Sequence, residues 1–431
     1  PNDGSDADAL LRHADQAMYA AKQAGRNRFH LFDPESDRLA RVRRDELGRI
    51  RDGLIAGEFT LHYQPKVNMR EGRVLGAEAL IRWQHPERGL LMPAQFLPII
   101  EGSELDIEVG NWVLEQALRQ LEDWREAGYL LSVSVNVSGP QLQASGFVDG
   151  LARLLRQHPA VPPHCLEIEI LETAALDDLT GAAEIFAAVR RLGVTLALDD
   201  FGTGYSSLTY FRRLPADTLK IDQSFVRDML DDPDDLAIVE GVIGLTRAFN
   251  RHVVAEGVET PEHGLILLQL GCDIAQGYGI ARPMPGAAIG DWTRNFVPNE
   301  LWNSIASFNW SRDDLPMLIA EVDHRRWLRQ LEEFIATTDR DASPPTQDHQ
   351  RCRFGRWFYG PAGRRYAGME SYAAIEAIHL EVHRLGNELI DLKHAGDTQM
   401  LTTRLGEFHA ASERLIEMIQ VIQAEVILNA H

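Results

Sequence analysis

The chain has 431 residues, 43 of them Lys or Arg against 64 Asp or Glu, for a net charge of −21. That length exceeds one ordinary core, so two or three folding units are expected, the larger single cores being mostly α/β barrels. So acidic a surface repels nucleic-acid polymers, and no apolar run approaches the ~20 residues that cross a bilayer, which excludes both partners for this stretch of chain. The 3 cysteines, Cys165, Cys272 and Cys352, are too few and too far apart for a disulfide framework and suit a reducing cytoplasm. The chain opens on Pro1 without a basic, then apolar leader. It is therefore expected to begin inside a longer protein, whose preceding part has room for an inner-membrane anchor.

Residues 7–24 place Leu10, Leu11, Ala14, Met18 and Ala21 at helical spacing, and Gly25 supplies a stop before the strand-like RFHLF. From about Phe59 to Pro285, short β-rich runs alternate with helical segments: FTLHYQPKV, VLGAEALIRW, LLSVSVNV, CLEIEIL, VTLALDD, TLKID, HVVAEGV and IAQGYGI. Eight such units predict a parallel TIM-like (β/α)8 barrel. The run 296–314 reads as a connector. Beyond it, amphipathic segments around 315–337, 371–393 and 399–428 predict an all-α four-helix bundle. The last carries a stripe of Leu401, Leu405, Phe408, Leu415, Ile419, Ile422 and Val426.

A TIM barrel builds its active site at the C-terminal strand ends, and acidic or amide residues recur there. Glu78 lies in the second strand, Asn136 ends the third, Glu169 and Glu172 end the fourth, and Asp199 and Asp200 end the fifth. Lys220 and Asp222 come with the sixth, Glu256 and Glu259 with the seventh, and Gln276 with the eighth. Carboxylates converging at one mouth repel each other or take up protons unless cations neutralise them, and oxygen donors suit Mg2+ or Mn2+. The adjacent pair Asp199-Asp200 is suited to bridging two metals, the arrangement used for in-line attack on phosphodiesters.

Read together, GAEALIRW (76–83), NVS (136–138), DDFGTGYSSL (199–208), KID (220–222), AEGVET (255–260) and QGY (276–278) resemble the EAL domain of cyclic di-GMP phosphodiesterases. The resemblance spans about 45–295 and sets a barrel domain at 37–295. It implies hydrolysis of cyclic di-GMP to linear pGpG with two Mg2+ or Mn2+ ions, and inhibition by calcium. By motif, Glu78, Asn136, Glu169, Asp199, Asp200 and Glu256 are the implied metal ligands. Lys220, Glu256, Gln276 and Glu259 carry the catalytic roles, Gln64, Arg82 and Asp222 contact substrate, and Glu172 anchors the loop after the fifth strand, where Gly202 and Gly204 permit unusual backbone. Members commonly pair through that region, so a homodimer is expected. One departure is Leu171, where the family usually has threonine; it is expected to tune activity and not abolish it. Residues 1–36 resemble the last helix and strand of a GGDEF diguanylate cyclase domain without its catalytic signature.

In the tail, His379 and His383 stand at i and i+4, one helix face. With His324 in HRRW and Cys352 in CRFGRW they make three imidazoles and a thiolate, a set that suits one tetrahedral Zn2+. The pattern resembles the chemoreceptor zinc-binding domain, over roughly 315–425 of a unit set at 315–431, and implies sensing of zinc or of oxidants by a bundle that regulates the barrel. His349, His394 and His409 read first as solvated side chains and are kept as spare ligand candidates, and Trp327 and Trp357 read equally as neighbours of the site or as core aromatics. Three function classes follow: hydrolase, cyclic di-GMP-binding effector without turnover, and zinc-dependent interaction module. The first needs the full set of acids, and that set is present.

Overall fold

The structure is a computed structural model. It describes residues 34–429 except 178, 203–211, 301, 303–314, 338–342, 346–347 and 361–362, together with six single positions before residue 34. Most of the helix-and-strand reading of 7–32, Gly204 with most of its loop, and most of the connector lie outside the described residues.

After helix α1 (Pro34–Ile55), eight strands form the closed barrel: β1 (Phe59–Asn68), β2 (Arg73–His85), β3 (Ser132–Asn136), β4 (Leu166–Leu171), β5 (Thr195–Phe201), β6 (Thr218–Ile221), β7 (His252–Ala255) and β8 (Ile274–Ala275), while the short strands Gly89–Leu91 and Met284–Pro285 add antiparallel to β2 and β1. The eight hydrogen-bond in chain order, and β8 pairs back onto β1 to close the barrel. All eight sequence-predicted strands form. Strands β2 to β8 run parallel, but β1 is antiparallel to both neighbours, which corrects the all-parallel expectation. The reason is length: only residues 69–72 separate β1 from β2, with Gly72 at φ 65°, enough for a tight turn. A parallel crossover needs a dozen or more residues.

The crossovers carry α2 (Glu104–Glu126), α3 (Phe147–Gln157), α4 (Leu179–Arg191), α5 (Pro233–Ala248) and α6 (Pro261–Leu270). Helix α2 shows why they pack: Leu105, Val109, Leu114, Leu118 and Leu121 fall three to five residues apart on one buried face. Strand alternation then sorts the barrel. Val133, Val135, Ile168, Ile170, Leu196 and Leu198 sit in the apolar core, while the alternate positions Ser134, Asn136, Glu167, Glu169 and Asp199 belong to the other face, toward the lumen. Register aligns them: Gln64 faces Glu78 and Asn136 faces Glu169. In the connector, Trp302 is buried and donates from Nε1 to the Pro261 carbonyl at 2.8 Å, so that residue packs with the barrel core and is no free linker.

The C-terminal unit has its own apolar core among α7 (Leu315–Ala336), α8 (Arg353–Phe358), α9 (Glu370–Ala395) and α10 (Thr398–Asn429). Three helices are long and α8 is a short piece of six residues. The α10 stripe holds, with Phe408, Leu415, Ile419 and Ile422 buried; the Val426 side chain lies outside the described residues. Gly396, at φ 74°, ends α9 in the left-handed conformation and turns the chain into α10. Among the described residues no helix is long and apolar enough to cross a membrane.

Candidate active site and metal centre

At the C-terminal strand ends the lumen-facing positions meet around one buried ammonium. Lys220 Nζ, 1% exposed, stands 2.6 Å from Glu256 Oε1, 2.7 Å from Glu169 Oε2, 3.0 Å from Asp199 Oδ1 and 3.6 Å from Glu78 Oε2. Gln276 Nε2 donates to Glu78 at 2.6 Å and to Glu256 at 2.9 Å, and Asn136 Nδ2 donates to Glu78 at 2.7 Å. Asp199, Asp200 and Glu256 each bring an oxygen within 4.8 Å of the others. Asp200 does so from φ 53°, a left-handed backbone that Asp tolerates better than most residues. Its amide donates to Asp199 Oδ1 at 3.0 Å.

One ammonium does not balance these acids. Burial lowers Lys220's affinity for its proton, but Glu169, Glu78, Glu256 and Asp199 outweigh that and hold it well above its ordinary value. Burial, aided by Glu78 and Asp199 and opposed by Lys220, pushes the Glu169 carboxyl up to about 7. Burial with Asp199 and Asp222 pushes Asp200 to about 7, and Glu256 is also driven well above the carboxylate range. Two buried acceptors, Glu169 Oε1 and Gln276 Oε1, receive no hydrogen bond. Excess negative charge, raised acids and idle oxygens fit divalent cations with hard oxygen ligands.

The other sequence-predicted residues divide. Gln64, Glu259 and Gln276 line a cleft of about 270 Å3 over the cluster. Gln64 Nε2 donates to the Ala281 carbonyl at 3.1 Å, and Arg82, buried, donates to the Ile81 carbonyl at 2.9 Å. Asp222 caps the helix Gln223–Asp228 by accepting from the Ser224 amide at 2.8 Å. Glu172 accepts from the Gly202 amide at 3.1 Å, which ties the start of the loop after β5 to the end of β4. Leu171 is 45% exposed, so this departure from the family leaves the core untouched.

A second polar layer beneath the first was missed. Lys66 Nζ lies 2.7 Å from Glu167 Oε2 and 3.6 Å from Glu169 Oε1, and also contacts Ser134 Oγ. Glu167 accepts from Ser134 at 2.6 Å and Thr218 at 3.0 Å; against the penalty of burial, Lys66 and these hydroxyls hold its carboxyl down at about 2. The available signal was spacing: Lys66 is two residues from Gln64, and Glu167 two from Glu169, so each pair shares a strand face. The floor of this layer borders a separate, larger cavity of about 550 Å3, which opens at the N-terminal strand ends and is remote from the carboxylate cluster.

In the helical unit Cys352, His379 and His383 bring one donor atom each within 4.8 Å, with Cys352 Sγ 3.3 Å from His379 Nε2. His324 is buried beside them but outside that group. Burial, aided by the neighbouring His383, drops the His324 imidazole to about 3, and burial with His383 drops His379 to about 2, which keeps both rings neutral as ligation requires. His324 Nε2 and His379 Nδ1 are buried without a hydrogen-bond partner. Neutral imidazoles beside a cysteine sulfur fit Zn2+. Trp327 packs with its ring tilted, 4.7 Å from the His383 ring and 5.8 Å from that of Phe408, so it serves the site and the core at once. Of the spare histidines, His409 pairs with Glu332 at 2.7 Å and His394 packs on Phe334, while His349 stays near the cluster.

Fold and site together define an α/β-barrel protein with an acidic, divalent-cation site, joined to a helical unit with a His/Cys site. Residues 47–283 match the EAL domain profile and 324–390 match the chemoreceptor zinc-binding domain. The chain belongs to the EAL-domain family and carries a chemoreceptor zinc-binding domain after the barrel. It is 41% identical over 286 residues to the bifunctional diguanylate cyclase/cyclic di-GMP phosphodiesterase MucR of Pseudomonas aeruginosa, covering 66% of this chain and 42% of that protein. It is 37% identical over 298 residues to the cyclic di-GMP phosphodiesterase PdeR of Escherichia coli, covering 69% and 45%. Among solved structures, the PaMucR phosphodiesterase in complex with c-di-GMP aligns with a TM-score of 0.55 at 41% identity, over 57% of this chain and 99% of that one. The EAL enzyme Bd1971 bound to cAMP and cyclic di-GMP aligns at 0.57 and 32% identity, over 67% and 77%. The chain thus spans less than half the length of the curated relatives it matches.

Proposed function

We propose that this chain hydrolyses cyclic di-GMP to linear pGpG, and that its zinc-binding tail regulates the reaction. The observation that carries the reading is the buried ring of Glu78, Glu169, Asp199 and Glu256 around Lys220, in a chain related to named cyclic di-GMP phosphodiesterases. Glu78, Asn136, Glu169, Asp199, Asp200 and Glu256 would hold two Mg2+ or Mn2+ ions, which when bound polarise the phosphodiester and lower the pKa of water.

The chain's own groups then supply position and proton handling. Lys220 and Gln276, both directed at the Glu256 carboxylate, orient the attacking water, and Glu256 accepts the proton it gives up. The water oxygen adds to phosphorus, one P–O ester bond breaks, and the ring opens to pGpG, the departing oxygen taking up one proton from solvent as Glu256 gives back the one it received, so that one water is consumed. Gln64 lines the cleft and Arg82 supplies a fork for phosphate. Tyr278, 56% exposed at the cleft with the Arg282 guanidinium 4.5 Å from its ring centre, offers a face for a guanine base. Glu172, holding the Gly202 amide, sets the loop through which two barrels pair as a homodimer. His324, Cys352, His379 and His383 hold one Zn2+, and the protein works in the cytoplasm.

Chromatography of the purified chain with cyclic di-GMP and Mn2+ or Mg2+ tests the reading. pGpG is expected, in amounts that change when a zinc chelator is added. Absence of pGpG with both metals overturns the hydrolase, and an unchanged rate after zinc removal and in Cys352→Ala overturns the regulation.

A further inference from the structure

The zinc reading leaves one group unexplained. Three donors, Cys352, His379 and His383, converge within 4.8 Å, and a tetrahedral ion takes four. Two imidazoles flank the trio. His324 approaches from α7 and is buried. His349 approaches from the turn before α8, with its ring centre 6.2 Å from that of His379 and 6.4 Å from that of His383. Two imidazoles on one tetrahedral zinc have ring centres roughly 5 to 5.5 Å apart, as Zn–N lengths near 2.0–2.1 Å dictate, and the His379–His383 pair is at 4.8 Å. His349 is therefore about 1 Å short of the coordinating distance, within reach of a side-chain rotation.

The local backbone holds it there. The Cys352 and Arg351 amides both donate to the Asp348 carbonyl at 3.0 Å, and the Cys352 thiol reaches the His349 carbonyl at 3.3 Å. A side chain on Gly355 would overlap that same carbonyl, so the first turn of α8 packs directly on His349. Its ring is 28% exposed, and Asp348 Oδ1 lies 3.9 Å from Nδ1. His349 is thus a neighbour of the sulfur ligand in space and in sequence, and more open to solvent than the three buried imidazoles of the site.

We propose that His349 is an auxiliary zinc ligand: when the Cys352 sulfur leaves the metal, the His349 imidazole takes the vacated position and the ion is retained by four histidines. The exchange breaks one Zn–S bond and forms one Zn–N bond, with no change in oxidation state. The inference rests on the reading that the tail binds zinc. A signal acting on Cys352 would then alter the charge and geometry of the site without releasing the ion.

The test uses the full chain loaded with Zn2+ or with Co2+ as a spectroscopic substitute. Wild type should bind one ion with a sulfur-to-cobalt charge-transfer band; no binding there defeats the zinc reading itself. Cys352→Ala should keep the intense visible bands of tetrahedral cobalt without the charge-transfer band, and Cys352→Ala/His349→Ala should lose at least about 100-fold in zinc affinity relative to it. Equal affinities of the single and double variants, or loss of the metal from a folded Cys352→Ala, overturn the proposal. With Cys352 intact, His349→Ala should hand zinc to a competing chelator severalfold faster than wild type. An unchanged transfer rate overturns the proposal even where the Cys352 variants fail to fold.

Discussion

Replacing Lys220 with methionine removes the central cation from among four carboxylates, leaving Lys66 at 3.6 Å from Glu169 alone. Three of them lie within 2.6–3.0 Å of Lys220 Nζ, and the ammonium is 1% exposed. Deleting one partner of a buried ion pair costs about 3–5 kcal/mol, and at about 2–4 °C per kcal/mol for a domain of this size the metal-free barrel should melt roughly 6 to 20 °C lower at pH 8. The loss should shrink toward pH 5, because Glu169 and Glu256, both raised, then take up protons and no longer need the ammonium. Mn2+ supplies the missing positive charge, so it should raise the melting temperature of Lys220→Met by more than that of wild type while pGpG formation stays abolished. Calorimetric melts with and without Mn2+, at both pH values, read all of this. An unchanged melt at pH 8, or equal Mn2+ shifts in the two proteins, would refute the view that Lys220 and divalent cations neutralise the same acids.

Other perturbations follow from the same geometry. Gly277→Ala places a methyl against the backbone N and O of Val258; overpacking should cost about 1–3 kcal/mol and displace Gln276, lowering turnover far more than stability, whereas Gly241→Ala in α5, with nothing within 4 Å, should leave turnover intact. Lys66→Met should destabilise by about 3–5 kcal/mol by stranding Glu167, and Lys66→Met/Glu167→Gln should recover most of that in urea melts. Glu169 and Asp200, ordinarily at 4.5 and 3.8, are both raised to about 7. At these two groups the metal-free folded barrel therefore binds more protons than the unfolded one across that window, so the stability they contribute to the barrel should fall as pH rises from about 4 to 7 and level off above, whereas the depressed His324 and His379 act on the helical unit with the opposite sign. Mn2+ affinity, followed by calorimetric titration, should rise over the same window because binding displaces those protons.

Much of this architecture was legible because period and position coincide. VLGAEALIRW, LLSVSVNV, CLEIEIL and VTLALDD read as buried strands, and Asn136, Glu169 and Asp199 fell toward the C-terminal ends of the last three, where the structure gathers them with the mid-strand Glu78. Orientation was not legible for β1, since its composition matches its parallel neighbours and only the brevity of residues 69–72 forbids a crossover. Lys66 and Glu167 escaped because one charge in an apolar strand looks like ordinary alternation; their meaning depends on Ser134 and Thr218, which come from strands distant in sequence. In the tail, the i, i+4 pair His379 and His383 was legible from helix geometry. The approach of His349 depends on the fold of the turn at Asp348 and on the absence of a side chain at Gly355.

The two candidate metal sites differ in a way that bears on regulation. The barrel offers carboxylate and amide oxygens, several of them carrying protons at neutral pH in the absence of metal, so Mg2+ or Mn2+ must displace protons to enter. The tail offers imidazoles kept neutral by burial and one sulfur, a set that favours Zn2+ by ligand softness. Acidification from pH 7 to 6 therefore bears hardest on the barrel, where Glu169 and Asp200 titrate near 7, and leaves the His324 and His379 rings neutral, since they titrate near 3 and 2. Zinc chelation or modification of Cys352 acts in the opposite sense, on the tail alone. On the proposed function the two metals would bind at separate donor sets, so any change in pGpG formation caused by a zinc-selective chelator in excess Mg2+ would have to pass from the helical unit to the barrel.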